Sequence, residues 1–246
     1  MILTYHQIEA QYSPHTYGVT AGTLAEHLCA IREHSALAGL SADFVATFDD
    51  GHISNYQRAL PLLERSGCKA LFFIPAGFVG NRPEVMTWEQ LRELVRMGHE
   101  VGSHSWSHPL LPGCSDAQLV DELARSRMTL EDKLGVMVGA ISIPHGSWNR
   151  HVLQRCGETG YRRVYTSDFL QGVKMMNGMQ VVGRLTVRRT MTAETIRRFL
   201  AARGPAFWAA VSPYVIKGIV KGFLGEHLYY RVWRHMFARI SNQEAQ

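Results

Sequence analysis

The chain reads as an α/β protein with a mostly parallel sheet and helices outside it. Two observations predict this. Short apolar, β-rich runs alternate with amphipathic stretches of helical spacing along most of the sequence. The two clusters richest in reactive side chains also fall where strand candidates end, the edge at which parallel α/β sheets carry their chemistry. With 246 residues, 46% of them apolar and 10% aromatic, there is material for one large core, and an α/β barrel of this length is a single domain.

Taken in order, Ile2 to Tyr5 is a short strand, and Thr23 to Ser35 has helical spacing at Leu24, Leu28 and Ile31. Phe44 to Phe48 is a buried strand running into an Asp pair. A helix follows over Ser54 to Ser66, with Ser54 as its cap and Gly67 as its stop. Next come a strand at Ala70 to Ile74, a helix at Trp88 to Met97 and a strand at Glu100 to Ser103. A helix over Ser115 to Leu134 opens with a Ser115/Gln118 capping box. Strands at Ala140 to Ile143, Arg163 to Thr166 and Gln180 to Val187, with a helix over Asn149 to Thr159 between the first two, complete the pattern. No internal repeat or low-complexity segment interrupts it. The one shift in composition, near Arg203-Gly204-Pro205, separates a domain at 1–203 from a tail at 204–246.

Composition narrows the function classes. No run of eighteen uncharged apolar residues exists, and Met1-Ile2-Leu3-Thr4-Tyr5-His6 lacks the basic and long apolar stretches of a secretory signal, so a cytoplasmic location is expected. Cys29, Cys68, Cys114 and Cys156 are scattered, with no paired spacing, and read as small buried apolar residues. The net charge of +5 is uneven: Arg184 to Ile240 holds eleven Lys and Arg against two acids, while Met1 to Gly183 holds fifteen against eighteen. That asymmetry draws an anionic partner towards one face.

The chemistry concentrates in Thr47-Phe48-Asp49-Asp50-Gly51 and His104-Ser105-Trp106-Ser107-His108. An Asp-Asp-Gly alone is ordinarily a solvated turn, and two histidines at helical spacing ordinarily satisfy core hydrogen bonds. Together at strand ends they supply ligands for a divalent metal with one carboxylate left to act as a base, which points to hydrolysis. Consecutive residues leaving a strand point in opposite directions, so a turn at Gly51 sends Asp50 towards the metal and leaves Asp49 near the attacking water. His104 and His108 share a face if the segment turns helically after the strand, with Pro109 ending that turn.

These two motifs, with Gly98-His99-Glu100-Val101-Gly102-Ser103 before the second and Ile143-Pro144-His145-Gly146 after it, resemble the polysaccharide deacetylase family, the NodB-homology domain of carbohydrate esterase family 4. Leu3-Thr4-Tyr5-His6 and Phe72-Phe73-Ile74-Pro75 are similar to it too, so the likeness covers roughly Met1 to Thr190. The resemblance implies a distorted (β/α) barrel of about seven units that binds Zn2+ or a similar divalent ion. Asp49 then matches the general base, and Asp50, His104 and His108 the metal triad. Pro144, His145 and Gly146 line the acetyl pocket, with the backbone N–H of His145 holding the oxyanion.

Two departures from the family pattern stand out. Ser142 occupies the place where many members carry an Arg that pairs with the base; Arg184, leaving the Val181-Val182 strand, is a candidate to supply that charge, or an ordinary exposed strand residue. The family's late Leu-x-x-His motif, whose His serves as general acid, has no clear match between Leu185 and Leu200. His6 and His145 are candidates for the proton donor, and each equally fits a structural histidine or a sugar contact. Trp106 suits packing beneath the site or stacking on a sugar ring. Trp148 suits a pocket wall, and Ser167 with Asp168 suits a hydrogen bond to a sugar hydroxyl or the orienting of a histidine.

In the tail, aromatic and aliphatic residues such as Trp208, Tyr214, Phe223, Tyr229 and Trp233 interleave with Lys217, Lys221, Arg231 and Arg234. This is the composition of amphipathic helices at an anionic membrane surface, or of helices covering the barrel or a dimer face. No nucleic-acid motif accompanies it, and nothing sets an oligomeric state. The expectation is therefore a metal-dependent amidohydrolase, using Zn2+ or alternatively Co2+, Ni2+ or Fe2+. It removes the N-acetyl group of an amino sugar in a cell-surface polysaccharide or its polyprenyl-linked precursor, at the inner face of the cytoplasmic membrane. A deformylase, an O-deacetylase and a noncatalytic metal-containing glycan-binding module are the alternatives.

Overall fold

A computed structural model of the chain describes residues 1–201. The elements, in order, are β1 (Ile2–Tyr5), β2 (Gln7–Glu9), β3 (Gly18–Thr20), α1 (Ala21–Ala38), β4 (Ala46–Phe48), a π-helical turn at Asn55–Ala59 running into α2 (Leu60–Ser66), and β5 (Leu71–Ile74). After these come α3 (Trp88–Arg96), β6 (Glu100–Ser103), α4 (Asp116–Leu134), β7 (Ala140–Ser142), α5 (Arg150–Glu158), β8 (Arg163–Thr166), β9 (Val173–Met176), β10 (Met179–Thr186) and α6 (Ala193–Ala201). The chain divides into two units, Met1–Leu200 and Ala201–Gln246. The amphipathic helices expected at 204–246 lie outside the described residues. Among the described residues, no helix is long and apolar enough to cross a membrane.

Strands β1, β4, β5, β6, β7, β8 and β10 pair in that order, all in parallel, and β10 closes on β1, which makes a seven-stranded barrel. Alternation along each strand sorts the side chains. Leu71, Phe73, Ala140, Tyr165 and Val182 form one buried cluster inside, with Ile2 against it. Outward-facing Tyr5, Phe48 and Phe72 stack in turn, with ring centroids 5.4 and 4.9 Å apart. The Tyr5 hydroxyl meets Nδ1 of His27 on α1 at 3.2 Å, and His27 Nε2 donates to the Met191 carbonyl at 3.0 Å. This fully buried imidazole joins barrel, helix and the segment leading to α6.

Most expected boundaries lie within two residues of the observed ones. The capping box at Ser115 and Gln118 forms, Asn149 caps α5, and Gly67 ends α2 at φ 63°. Three expectations are corrected. Ser54 does not cap a helix: its hydroxyl accepts from the Ile8 amide at 2.9 Å and meets His52 Nδ1 at 2.7 Å, so the helix opens in a π-helical turn. Phe44 is outside β4, in a left-handed turn at φ 59°. Cys68 and Cys156 are buried as expected, but Cys29 is exposed. The parallel β2–β3 pair, of three residues each, and β9, antiparallel to β10, are additions.

Candidate active site

At the carboxyl end of the barrel the chain leaves β4 through two consecutive left-handed residues, Asp50 at φ 68° and Gly51 at φ 62°. An L side chain takes this conformation reluctantly, and Asp is among the residues that tolerate it. The turn separates the two carboxylates. Asp49 stays buried and points into the barrel mouth, while Asp50 lies half-exposed at its rim.

The histidines converge by a route other than the expected one. Residues 104–108 form no helical turn; Ser105 (φ 63°) and His108 (φ 59°) bend the chain instead. The His108 amide donates to Ser105 Oγ at 3.1 Å. His104 donates from Nδ1 to the Ser142 carbonyl at 2.8 Å, which leaves Nε2 facing the site.

Asp50 Oδ1 stands 3.4 Å from Nε2 of both His104 and His108, and the two Nε2 atoms are 3.2 Å apart. A tetrahedral ion held at about 2.05 Å places its donor atoms about 3.3 Å from one another. The triad therefore fits a zinc-like ion in both donor type and spacing. Burial, then the neighbouring His104, push the His108 pKa down to about 3, which keeps its lone pair available. For His104 burial acts the other way from Asp50 and Asp49, whose attraction prevails and raises its pKa.

Beneath the triad, Arg184 on β10 binds Asp49 through both guanidinium arms, Nη1 to Oδ1 and Nη2 to Oδ2, each at 2.8 Å. The same arms reach Thr47 Oγ1 at 2.9 Å and Ser142 Oγ at 2.6 Å, and the Ser142 hydroxyl donates to Asp49 Oδ2 at 2.9 Å. Arg184 is only 1% exposed, with Phe73 and Tyr165 alongside it inside the barrel, so it is no exposed strand residue. Burial works to raise the Asp49 pKa, but the Arg184 guanidinium and then His104 outweigh it and hold the carboxyl below the usual carboxylate range. Asp49 Oδ2 remains 4.0 Å from His104 Nε2.

His6, just past β1, has a buried Nδ1 with no hydrogen-bond partner and a ring 5.1 Å from that of Tyr17. Burial lowers its pKa against the pull of Asp50 and Asp49, so its resting form is neutral. His145, at φ 59°, sets its ring 4.5 Å from that of His108 and hydrogen-bonds the His108 backbone. Pro144 and Gly146 are buried on either side; a Cβ at Gly146 would meet Ser167 Oγ at 2.7 Å. Trp148 donates from Nε1 to Asp168 Oδ2 at 3.1 Å and lines a groove of about 680 Å3 with Gln171, Lys174, Met175 and Met176. None of Asp50, His104 and His108 lines that groove. Glu122 on α4, which carried no sequence signal beyond its place beside the buried Leu119 and Leu123, hydrogen-bonds the loop between the two histidines.

The polysaccharide deacetylase family matches residues 41–164 of this chain. Among curated proteins, the chain is 33% identical over 112 residues to the peptidoglycan-N-acetylglucosamine deacetylase PgdA of Listeria monocytogenes (strain 10403S), which covers 45% of this chain and 23% of that one. It is 30% identical over 138 residues to a chitooligosaccharide deacetylase of Bradyrhizobium sp. (strain ANU 289), which covers 55% of this chain and 60% of the relative. The chain thus spans less than two thirds of the length of these relatives. Among solved structures, the deacetylase PplD of Streptococcus pyogenes in complex with acetate superposes with a TM-score of 0.68 at 23% identity, covering 78% of this chain and 94% of that one. At that identity the likeness concerns the fold.

Proposed function

Because the chain belongs to the polysaccharide deacetylase family, we propose that it hydrolyses the N-acetyl group of an amino sugar in a bacterial cell-surface polysaccharide or its lipid-linked precursor. The observation that carries this reading is the placement of Asp49, held ionised by Arg184 beside the Asp50, His104 and His108 triad. Asp50, His104 and His108 would hold a divalent ion, with Zn2+ the best fit, which would supply Lewis-acid polarisation of the amide carbonyl and a lowered pKa for water.

Asp49 takes the proton from the attacking water as the C–O bond forms, and Arg184 and Ser142 keep its carboxylate oriented towards the reacting atoms. The backbone N–H of His145 donates to the oxygen that gains charge. Asp49 passes that proton to the free Nδ1 of the neutral His6, and His6 delivers it to the amine nitrogen as the C–N bond breaks, which leaves acetate and a free amino sugar. Its Nδ1 without a partner is the supporting observation. Trp148, oriented by Asp168, walls the sugar-binding side next to Pro144 and Gly146. The basic, aromatic tail supports a site of action at the inner face of the cytoplasmic membrane, on a polyprenyl-linked glycan.

The test is acetate release from an undecaprenyl-linked N-acetyl sugar, with formate release from the N-formyl analogue in parallel. Wild type releasing acetate and Asp49→Asn releasing almost none is the expected result. Equal release by the two proteins removes Asp49 as the base, and formate release alone replaces deacetylation with deformylation.

A further inference from the structure

The loop that carries both histidine ligands is held in shape from one side by a single carboxylate of α4. Glu122 Oε2 accepts from the backbone N–H groups of Trp106 and Ser107, at 2.9 and 2.8 Å, and Oε1 accepts from the Ser107 hydroxyl at 2.6 Å. Four residues further along the helix, Ser126 meets the hydroxyl of Ser103 at 2.8 Å, and Ser103 Oγ accepts from the Ser105 amide at 3.1 Å. Between them Arg125 stacks over the Trp106 ring, 3.8 Å from its centroid. One turn of α4 thus touches the chain at 103, 106 and 107.

The opposite side of the loop is taken by backbone. The Ala76 and Gly77 amides donate to the carbonyls of Ser105 and Trp106 at 3.2 and 2.9 Å. With its carbonyls held by residues 76 and 77, the loop has the Trp106 and Ser107 amides left to satisfy, and Glu122 satisfies both with charge-assisted bonds. Ser105 and His108 sit in a left-handed conformation that costs energy for non-glycine residues, so the bend needs such external support.

We propose that Glu122 is a positioning residue for the metal site: its carboxylate fixes the Trp106–Ser107 peptide and so sets the separation of His104 and His108. The inference rests on the reading that Asp50, His104 and His108 bind a divalent ion. It concerns affinity and ligand geometry, with no part for Glu122 in the proton transfers.

The experiment titrates Co2+ alone into metal-free protein against a competing chelator, records the visible absorption of the bound ion, and compares wild type, Glu122→Ala, Glu122→Gln and Arg127→Ala. Arg127, bonded on α4 to Glu131 and the Thr159 carbonyl, serves as the control for helix anchoring. Expected for Glu122→Ala is a loss of affinity of about 10- to 100-fold, the usual range for removing a group that orients ligands, with an altered Co2+ spectrum. Glu122→Gln, which retains an oxygen for the two amides, is expected to fall between Glu122→Ala and wild type, and Arg127→Ala to match wild type. Wild-type affinity and spectrum in Glu122→Ala overturn the inference, as does an equal loss in Arg127→Ala. Should Glu122→Ala not fold, Glu122→Gln decides: weaker binding supports the role and wild-type binding overturns it. Failure of the wild type itself to bind Co2+ removes the metal reading and this inference with it.

Discussion

Arg184 and Asp49, 135 residues apart in sequence, form a doubly hydrogen-bonded ion pair inside the barrel, reaching past β1, the strand that separates β10 from β4. Ser142, on the far wall, closes the arrangement. A guanidinium is suited to this place because its planar fork meets both carboxylate oxygens at once and stays charged when buried. Arg184→Lys retains the charge and loses the fork. Acetate release is expected to fall about 10- to 100-fold, short of the roughly 100- to 10,000-fold that loss of a general base brings, because Asp49 remains present but poorly oriented. Steady-state kinetics check it, and an unchanged kcat contradicts it.

Arg184→Met is expected to act on stability more than on binding. It leaves Asp49 buried without its cation, a change that costs about 3–5 kcal/mol. The remaining carboxyl loses the attraction that held its pKa down, while burial still raises it. Protonation then sets in at a higher pH than in wild type, so the acid limb of kcat/KM moves upward. Urea unfolding and a pH–rate profile on the same protein measure the two effects.

On the proposed reading, the metal ligands and the base are separable. Asp49→Asn keeps the size of the side chain and leaves Asp50, His104 and His108 intact, so bound metal is expected at wild-type stoichiometry while acetate release falls about 100- to 10,000-fold. His104→Ala removes one of the three donors that stand 3.2 to 3.4 Å apart and is expected to lose both metal and activity. Elemental analysis after dialysis reads the difference; metal loss in Asp49→Asn argues against the division of roles.

His27 makes stability depend on pH. Burial lowers its native pKa, with the Met191 carbonyl contact opposing, so in the range below the ordinary imidazole value of about 6.5 the unfolded chain binds the proton first. Its contribution is complete above that value and is lost as pH falls towards the native pKa. The urea midpoint is expected to decline from pH 7.5 to pH 5.5. The decline should be shallower in His27→Gln, whose amide still reaches the Met191 carbonyl but does not titrate in this range.

The barrel and the meeting of Asp50, His104 and His108 were legible in the sequence for a common reason. Strands such as Leu71–Ile74 are uniformly apolar, the helices carry their caps locally, and Asp49, Asp50, His104 and His108 sit within short motifs. Interactions across the barrel were less so. Arg184 was named from its place by a strand as a candidate cation for Asp49, with an ordinary exposed strand residue as the alternative, and only closure of β10 on β1 decides between them. The β2–β3 pair has three residues per strand, too few for a period to show. Ser54 looked like a cap because Ser is favoured there, but a tertiary partner, the Ile8 amide, claimed its hydroxyl. A helical turn between the two histidines followed from spacing alone, whereas Ser105 and His108 took left-handed conformations under contacts from residues 76, 77 and 122.

Gly77 supplies the last test, because it supports the same loop from the side opposite α4. A Cβ there would stand 2.7 Å from the Trp106 carbonyl oxygen and 2.8 Å from its indole ring. The carbonyl is backbone and accepts from Gly77 itself, while the indole is capped by Arg125, so neither neighbour can yield without moving the loop. Gly77→Ala is thus expected to cost about 1–3 kcal/mol as an overpacked site and to displace Trp106, with consequences for His104 and His108 on either side. Gly113→Ala, where a Cβ meets nothing within 4 Å, is the matched control. Reduced metal affinity and a lower urea midpoint in the first, with both near wild type in the second, are the expected outcomes. Full metal affinity in Gly77→Ala would mean that the histidines hold their positions without this contact.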